Sequence, residues 1–269
     1  MKLTRHLARW TAAATAAAAL IAMPAARADG LDDVLKAGVL RVAVPQDFPP
    51  FGSVDTEMKS IGLDVEVAAL IAAKMGVKVE LVPVASGNRI AYLQTRKADL
   101  LISTLGKSLE REKVIAFTQP YAPYNNSVFG PSTLKVGGAA DLKGKVIGVT
   151  RGTFEDTQVT DTAPVGTDIK RFEDNNATIA AYLSGQVQLV GTGDFVAFAI
   201  ASRNPSVRPE LKYVLHESAC HVGMNLDEPR LMTKVNAVLT GLKRSGELSK
   251  VVSKWLKTPL PAKLLAQES

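Results

Sequence analysis

Cysteine and histidine are scarce in this chain of 269 residues, which contains one Cys and three His. A single thiol, Cys220, excludes an internal disulfide framework and a zinc module built on several cysteines. His6, His216 and His221 are widely separated, so they predict no metal site. After residue 28, no apolar run approaches the roughly 18 residues of a membrane-spanning helix. The remaining chain is therefore expected to be soluble and to need neither a metal nor a cofactor.

The excess of positive charge is also small once its position is considered. The chain has 32 Lys and Arg against 26 Asp and Glu, a net charge of +6. Four of these bases, Lys2, Arg5, Arg9 and Arg27, lie within residues 1–28, which contain no acid. The other 241 residues hold 28 bases and 26 acids, without a basic run. This near balance argues against a nucleic-acid partner, and the 46% hydrophobic and 22% charged content is typical of a globular protein.

The N-terminus has the three parts of a secretory signal peptide. A basic segment precedes the uncharged apolar stretch Thr11–Met23, and Ala26-Arg27-Ala28 forms an A-x-A cleavage site. The alternative, a membrane anchor, requires a helix that crosses ~30 Å of hydrocarbon, and this core of 13 residues is too short. We therefore expect residues 1–28 to be removed after Ala28 and the mature protein to begin at Asp29 in the periplasm.

Strand-like runs alternate with helical patterns along the rest of the chain. The first series comprises predicted strands at 39–44, 77–82 and 98–103 and predicted helices at 64–75 and 89–95. The second comprises strands at 145–150 and 187–190 and helices at 176–184 and 195–202. Such alternation predicts an α/β protein with mainly parallel sheets and right-handed crossovers. A break near 123–131 divides it into two lobes, and the cleft between them is the expected binding site.

Several stretches follow one another in an order and spacing typical of one family. They are GLDVEVAALIAAKMG (62–76), NRIAYLQTRKADLLIST (88–104), SLEREKVIAF (108–117), QPY (119–121), KVIGVTRGT (145–153), YLSGQVQLV (182–190) and GELSKVVSKWL (246–256). The chain thereby resembles solute-binding protein family 3, the periplasmic amino-acid-binding receptors of ABC transporters. The resemblance implies two lobes that are joined by two crossing strands and close over one small ligand. It also implies a discontinuous first lobe of 29–124 plus 216–269 and a second lobe of 125–215.

Arg111 is the first candidate ligand-binding residue, because a guanidinium presents a planar fork that can bond both oxygens of a carboxylate. Its spacing alone favours a surface ion pair with a neighbouring glutamate. The resemblance implies instead that Arg111 binds the α-carboxylate of the ligand and that the Ser108 hydroxyl donates to the same group. It further implies donors at Thr104 and at Gly106, where the family often has Thr or Ser.

The second lobe contributes a strand-to-helix turn at 151–154. Backbone N–H groups at such a junction attract anions. The resemblance implies that Thr153 and the N–H group of Phe154 complete the carboxylate site. The alternative is that Gly152 marks only a turn.

The sequence leaves two interpretations of the residue nearest to the expected acceptor for an α-ammonium group. The resemblance implies an aspartate at the end of the strand that follows Gly185. That position is Gly193 in this chain, and Asp194 follows one residue later. Asp194 is therefore expected either to bind the ammonium group or to act as the N-cap of the next helix.

Three positions that correspond to cleft residues of the family predict which ligand side chain the site accepts. Phe48 matches an aromatic residue that lines the cleft, with core packing as the alternative, which fits Phe51 better. Pro45 stands where the family often has an aspartate that meets cationic or amide side chains, and Ser86 stands where it often has a second aromatic residue. Because bases such as Arg89 lie nearby in the sequence, we expect a neutral or acidic amino acid and not a basic one.

Two polar pairs in the sequence have other interpretations. Asn175-Asn176 precedes a predicted helix and is expected to cap it. Cys220-His221 falls in a predicted crossing strand and has no evident acid partner, so nucleophilic catalysis is not expected there.

Three functions are compatible with these features. The favoured one is a monomeric receptor that binds an amino acid by cleft closure and delivers it to an inner-membrane ABC permease. The second is a periplasmic enzyme on the same fold, a cyclohexadienyl or prephenate-type dehydratase. That chemistry requires a positioned acid or base, and Asp194 is the only evident acid. The third is a sensor domain, although no signalling module is evident after Lys257.

Overall fold

The structure is a computed structural model that describes residues 30–204 and 206–267. The predicted signal peptide and its cleavage site lie outside these residues. Within them, no helix has both the length and the apolar character needed to cross a membrane.

The first part of the chain builds three parallel strands and the helices that cover them. In order, it forms α1 (Gly30–Ala37), β1 (Val39–Val44), β2 (Ser53–Val54), β3 (Ser60–Ile61), α2 (Leu63–Met75), β4 (Lys78–Pro83), α3 (Arg89–Gln94), β5 (Leu100–Leu105) and α4 (Leu109–Glu112). Strand β1 pairs in parallel with both β4 and β5. We call the part of the protein built on β4, β1 and β5 the first lobe.

The middle of the chain repeats this arrangement. It forms β6 (Ala116–Gly130), β7 (Val146–Thr150), α5 (Phe154–Thr162), β8 (Asp168–Phe172), α6 (Asn175–Leu183), β9 (Leu189–Gly193) and α7 (Asp194–Arg203). Strand β7 pairs in parallel with β8 and β9. We call the part built on β9, β7 and β8 the second lobe.

The C-terminal part returns to the first lobe. It forms β10 (Glu210–Met224), α8 (Pro229–Arg244), α9 (Glu247–Leu256) and α10 (Ala262–Leu265). The two helical stripes predicted near the C-terminus are the buried faces of α8 and α9, which include Leu231, Val235, Leu248 and Val252. Both helices join the hydrophobic core of the first lobe.

Two long antiparallel strands connect the lobes. The described residues form one eight-stranded sheet in the order β4-β1-β5-β10-β6-β9-β7-β8. Strands β6 and β10 pair from Ala116↔Met224 to Gly130↔Glu210, so both cross from one lobe to the other. Pro123, which the sequence marks as part of a break, lies inside β6. The crossing strands implied by the resemblance are thus present, and the predicted break is a strand that changes lobe.

Each lobe has apolar side chains on both faces of its sheet. In β1, Leu40 and Val42 contribute to the core on one face, whereas Ala43 contributes to the core on the other. In β9, Leu189 and Val190 divide in the same way. This alternation explains why the strands are short apolar runs, because parallel strands covered by helices are buried on both sides.

Candidate functional site

A narrow cavity lies between the lobes beside the crossing strands. It is lined by Phe48, Arg89, Thr104, Gly106, Arg111, Tyr124, Asn126, Thr153, Phe154 and Glu155. The residues up to Arg111 belong to the first lobe, Tyr124 and Asn126 lie on β6, and the remaining three open α5 in the second lobe. We call this space the ligand cavity, because side chains of opposite charge meet there from two lobes.

Arg111 faces the ligand cavity from the short helix α4. One of its terminal nitrogens donates to the carbonyl of Gly106 at 3.0 Å, and its guanidinium carbon lies 5.7 Å from the ring centre of Phe154. Burial and the positive charge of Arg89 lower the pKa of Arg111 to about 10, against the opposing effect of Glu155. The group therefore stays charged at neutral pH, and an anion in the cavity would relieve the cost of its burial.

The alternative of a surface ion pair for Arg111 does not match the contacts of its neighbours. Glu110 pairs with Lys113 at 2.7 Å, and Glu112 pairs with Lys107 at 2.7 Å. Both glutamates therefore have lysine partners, and Arg111 turns to the cavity instead.

Ser108 supports Arg111 through the backbone. Its hydroxyl is the N-cap of α4 and accepts from the N–H group of Arg111 at 3.3 Å. Ser108 is not among the residues that line the ligand cavity; it lines an open groove outside, which shares Arg111 and Phe154 with the cavity.

Arg89 is a second guanidinium in the same cavity, and only 8% of it is exposed. It donates to the carbonyl of Ser103 at 2.9 Å and to the hydroxyl of Ser86. In the sequence, Arg89 is evident only as a base near the predicted site. Its position at the start of α3, immediately after a turn, was the available signal, but only the folded chain shows that it lines the cavity.

Thr104 is held in an unusual backbone conformation at the end of β5. Its φ of 48° is left-handed, which is uncommon for a threonine and typical of constrained functional positions. Its hydroxyl donates to the fully buried carboxylate of Asp64 at 2.9 Å, and the same carboxylate accepts from Tyr121 on β6 at 2.6 Å. Burial raises the pKa of Asp64 to about 6, against the opposing effect of these two hydrogen bonds.

The second lobe presents the first turn of α5. Thr153 is the N-cap of this helix: its hydroxyl accepts from Asp156 N at 3.2 Å and donates to the Thr150 carbonyl at 2.8 Å. The N–H groups of Phe154 and Glu155 come first in the helix and have no acceptor within it. Thr153 and Phe154 therefore line the cavity as expected, although the Thr153 hydroxyl serves the helix cap.

Glu155 is the acid of the ligand cavity. It is 4% exposed, and its carboxylate accepts a hydrogen bond from the Tyr124 hydroxyl at 2.8 Å. Burial, and then Glu155 itself, raise the pKa of Tyr124 well above its usual range, so the phenol remains a donor. Glu155 is not distinctive in the sequence, because acids are common in the first turn of a helix, where they interact favourably with the helix dipole.

Tyr124 also explains why the acid is not at the position implied by the resemblance. A Cβ atom on Gly193 would lie 2.4 Å from the Tyr124 ring, so a side chain there has no room. Asp194 lies outside the set of cavity-lining residues. Its carboxylate accepts from the amide side chain of Asn125 at 3.1 Å and from Phe195 N at 3.0 Å. Helix α7 begins at Asp194 itself, so Asp194 is not the N-cap either.

Aromatic side chains close one end of the cavity. Phe48 lines it and packs against Phe51 and Tyr124, with ring centres 6.1 Å and 6.3 Å away. Both Phe48 and Phe51 are buried in the same hydrophobic cluster, and of the two only Phe48 also lines the cavity.

Two buried nitrogens of the cavity lining have no hydrogen-bond partner among the described residues. They are Nε of Arg89 and Nδ2 of Asn126. Both are donors, and a buried donor without an acceptor is costly. The cavity therefore suits a ligand that is rich in acceptor oxygens.

The described residues contain no group of three or more His, Cys, Asp or Glu that could bind a metal ion. Cys220 is buried in β10, where burial raises the pKa of its thiol well above its usual range.

The profile of the family described as "Bacterial extracellular solute-binding proteins, family 3" matches residues 40–258. The chain belongs to this family. Its fold is that of two α/β lobes joined by crossing strands.

Individual relatives bind different amino acids. The chain is 27% identical to ABC transporter arginine-binding protein 1 of Escherichia coli over 223 residues, which are 80% of this chain and 90% of that protein. It is 25% identical to the L-cystine-binding protein TcyJ of Escherichia coli, with 95% of this chain and 97% of that protein covered. It is also 25% identical to the glutamate/aspartate import solute-binding protein of Salmonella typhimurium, with 87% and 82% covered.

Solved structures have the same architecture. An ancestral arginine-binding protein bound to arginine is 30% identical, with a TM-score of 0.76 and coverage of 81% of this chain and 98% of that one. The ancestral amino acid-binding protein AncCDT-1, described as a precursor of cyclohexadienyl dehydratase, is 28% identical, with a TM-score of 0.78 and coverage of 84% and 99%.

Proposed function

We propose that this protein is the receptor of an ABC importer for an acidic amino acid, L-glutamate or L-aspartate. The observation that supports this proposal is the charge of the ligand cavity, which combines Arg89 and Arg111 with Glu155. An amino acid with two carboxylates and one ammonium group carries the opposite set of charges. Since buried charges need partners, this ligand leaves each of the three groups paired.

Each end of the ligand has a partner in the proposal. Arg111, the first turn of α5 and Thr104 bind the α-carboxylate, Glu155 accepts from the α-ammonium group, and Arg89 binds the side-chain carboxylate. Asn126 donates its free Nδ2 to one of the ligand oxygens.

The relatives do not select the ligand, because the arginine, cystine and glutamate/aspartate proteins are similarly distant. Charge in the cavity supports the acidic choice. A basic amino acid would add a cation beside Arg89, and Pro45 occupies the position of the acid that often meets such a cation.

The proposal also includes export, lobe closure and delivery of the ligand. The protein is exported to the periplasm with cleavage after Ala28, closes its lobes over the ligand as a monomer, and delivers it to an inner-membrane ABC permease. The proposal keeps the lobe limits at 124 and 216. The pairing of the crossing strands supports them, because β9 pairs with residues 126–129 of β6 and β5 pairs with residues 221–223 of β10.

Calorimetric titration of the mature protein with L-glutamate, L-aspartate, L-glutamine and L-arginine tests the ligand class. We expect the acidic ligands to bind most tightly. In Arg89→Met, binding of L-glutamate should weaken roughly 30-fold or more, because the side-chain carboxylate loses its buried partner. L-glutamine, which has no such charge, is the matched control and should be affected far less. Tighter binding of L-arginine than of L-glutamate would refute the acidic assignment.

Glu155 also favours a second candidate function. It supplies a positioned acid inside the cavity, which a prephenate-type dehydratase requires, and AncCDT-1 shares the fold. Loss of carbon dioxide and water from prephenate gives an aromatic product that ultraviolet absorbance detects. Turnover by the wild-type protein that disappears in Glu155→Gln would establish the enzyme, whereas the receptor proposal expects no turnover in either protein.

A further inference from the structure

A set of polar contacts joins the two lobes beside the ligand cavity. Asp47 follows β1 in the first lobe, and Asn175 opens α6 in the second. One carboxylate oxygen of Asp47 accepts from the Asn175 backbone N–H at 2.8 Å and from its side-chain Nδ2 at 3.0 Å. A carboxylate at the start of a helix is favourable, because the first N–H groups of the helix lack internal acceptors.

Ser86 extends this contact within the first lobe. Its hydroxyl accepts from Asn175 Nδ2 at 3.2 Å, while Asn175 Oδ1 accepts from the Thr150 hydroxyl at 2.8 Å. Asn175 and Ser86 are both buried. The side-chain amide of Asn175 is thus fixed within its own lobe by Thr150 and points both of its donor contacts at the other lobe.

The backbones approach closely at the same seam. A Cβ atom on Gly152 would lie 3.1 Å from the Cα atom of Gly87 in the opposite lobe, and the φ of Gly152 is +72°. This approach places glycine against glycine, so the polar contacts of Asp47 and Ser86 can form without a bulky side chain between the lobes.

Ser86 also contacts the ligand cavity through Arg89, whose guanidinium donates to the same hydroxyl. Arg89 lines the cavity, whereas Asp47, Ser86 and Asn175 do not. One hydroxyl therefore receives hydrogen bonds from a cavity guanidinium and from the residue that bridges the lobes.

We propose that Asp47, Ser86 and Asn175 form a clasp that holds the lobes closed and couples closure to an anion on Arg89. These are positioning residues, because they act on the ligand through closure and through Arg89. The asparagine predicted to cap a helix has this role instead, since the N-cap of α6 is Asp174, whose carboxylate accepts from Ala177 N at 2.8 Å. The coupling to an anion rests on the proposed acidic ligand; the clasp itself does not.

The physical argument concerns when the contacts exist. Hydrogen bonds between lobes form only in the closed conformation, so they favour that conformation over the open one. A ligand leaves after the lobes open, and loss of the clasp should therefore appear mainly as faster dissociation. Asp47→Ala removes both hydrogen bonds to Asn175.

The first experiment compares Asp47→Ala with Asp55→Ala. Asp55 is the matched control, because its carboxylate also accepts two hydrogen bonds, but within one lobe. They come from the backbone N–H groups of Glu57 at 2.8 Å and Lys59 at 2.9 Å. With L-glutamate as the probe, stopped-flow dissociation from Asp47→Ala should be about 10- to 100-fold faster than from wild type. Asp55→Ala should remain within twofold, and Asp47→Asn, which keeps one acceptor oxygen, should be intermediate.

Two further measurements separate a clasp from a merely local role. The urea midpoint of unfolding of Asp47→Ala should stay close to that of Asp55→Ala. In a cycle with Asn175→Ala, the double variant should dissociate L-glutamate little faster than Asp47→Ala, because both substitutions break the same contact. Ser86→Ala should weaken L-glutamate more than L-glutamine if the hydroxyl orients Arg89; equal weakening would overturn the coupling.

A further measurement tests the clasp in the absence of ligand. Spin labels on the two lobes report the closed fraction of the ligand-free protein, and Asp47→Ala should lower it relative to Asp55→Ala. If L-glutamate fails to bind the wild type, the acidic proposal fails and this closed fraction decides the clasp. The clasp would be overturned if the two variants had equal closed fractions. It would also be overturned if L-glutamate did not bind and none of the ligand-free proteins had a closed population. Equal dissociation rates of L-glutamate would overturn it as well.

Discussion

The two lobes present opposite charges to the same cavity. The first lobe contributes the guanidiniums of Arg89 and Arg111, whereas the second contributes the carboxylate of Glu155 and the start of a helix. Neither set alone can pair every charge of a zwitterionic ligand. For the proposed ligand, this division predicts that binding and closure are coupled. Such a ligand is fully neutralised only when both lobes reach it, so it should bind the closed form more tightly than the open one.

The lobes also differ in how they support these groups. In the first lobe, the Thr104 hydroxyl donates a hydrogen bond to the buried carboxylate of Asp64, which lies in α2. In the second, Tyr124 on the crossing strand β6 holds Glu155. Tyr124, which orients Glu155, therefore lies on one of the two strands that connect the lobes. The orientation of Glu155 thus depends on that strand.

The largest effect is expected when the first lobe loses its main anion partner. Arg111→Ala should weaken binding of L-glutamate roughly 30-fold to several thousandfold, because a buried carboxylate loses a charged partner. Arg111→Lys should recover part of this loss, since an ammonium group cannot reproduce the guanidinium fork. Calorimetry measures the affinities, and circular dichroism checks folding. Lys113→Ala is the control, as Lys113 pairs with Glu110 at the surface; near-wild-type affinity in a folded Arg111→Ala protein would contradict the assignment.

A smaller but still large effect is expected from the second lobe. Glu155→Gln should weaken L-glutamate roughly 10- to 100-fold, because an ammonium group then meets a neutral acceptor. Glutarate has the two carboxylates but no ammonium group, and its affinity should change much less. Titration calorimetry with both ligands isolates the ammonium contact. Glu173→Gln is the matched control, since Glu173 is an exposed glutamate of the same lobe that pairs with Arg151; equal losses for both ligands would argue against Glu155 as the ammonium acceptor.

The position of the acid in the second lobe can be tested through stability. Gly193→Ala should lower the free energy of unfolding by about 1–3 kcal/mol, because the new Cβ atom meets the Tyr124 ring at 2.4 Å. Gly138→Ala is the control, because a Cβ atom there has no neighbour within 4 Å. Urea unfolding gives both values. An unchanged stability in Gly193→Ala would show that Tyr124 yields readily and does not exclude a side chain from this position.

The smallest effect concerns the support of the first lobe and depends on pH. Burial raises the pKa of Asp64 from an ordinary 3.8 to about 6 in the folded protein. A raised folded pKa means that the stability contribution of Asp64 is fully present below about pH 3.8 and is lost as the pH rises through 6. Burial raises the pKa of Tyr121 and of Cys220 well above their usual ranges, so both neighbours of Asp64 stay neutral over this interval.

Urea unfolding of Asp64→Asn and the wild type at pH 4, 5, 6 and 7 measures this contribution. The difference in unfolding free energy should shift in favour of Asp64→Asn as the pH rises, because only the wild type gains a buried charge. A difference that is constant from pH 4 to pH 7 would mean that Asp64 does not titrate in this interval.

Local patterns predicted most of the secondary structure. Strand β1 has the predicted limits, and α2 begins one residue earlier than predicted and ends at Gly76, whose φ of +76° is left-handed. The strands 116–130 and 210–224 were not recognised over their full length. Prolines inside the first suggested a break, because proline is rare within sheets. Here the chain continues as a strand that leaves one lobe and enters the other.

By itself, the sequence determined the α/β class, the two-lobe arrangement, the family and the placement of Arg111, Thr104, Gly106, Phe48, Thr153 and Phe154 at one site. The α/β class and the two lobes follow from the alternation of strand and helix patterns, whereas the family and the site positions follow from the resemblance to the family. Tertiary structure alone decided that Glu155 is the cavity acid, that Arg89 joins Arg111, and that Asp194 and Ser108 lie outside the lining. Each depends on contacts between distant segments, such as the Tyr124 ring over Gly193, and a one-residue shift at a strand end is enough to move a side chain out of a cavity.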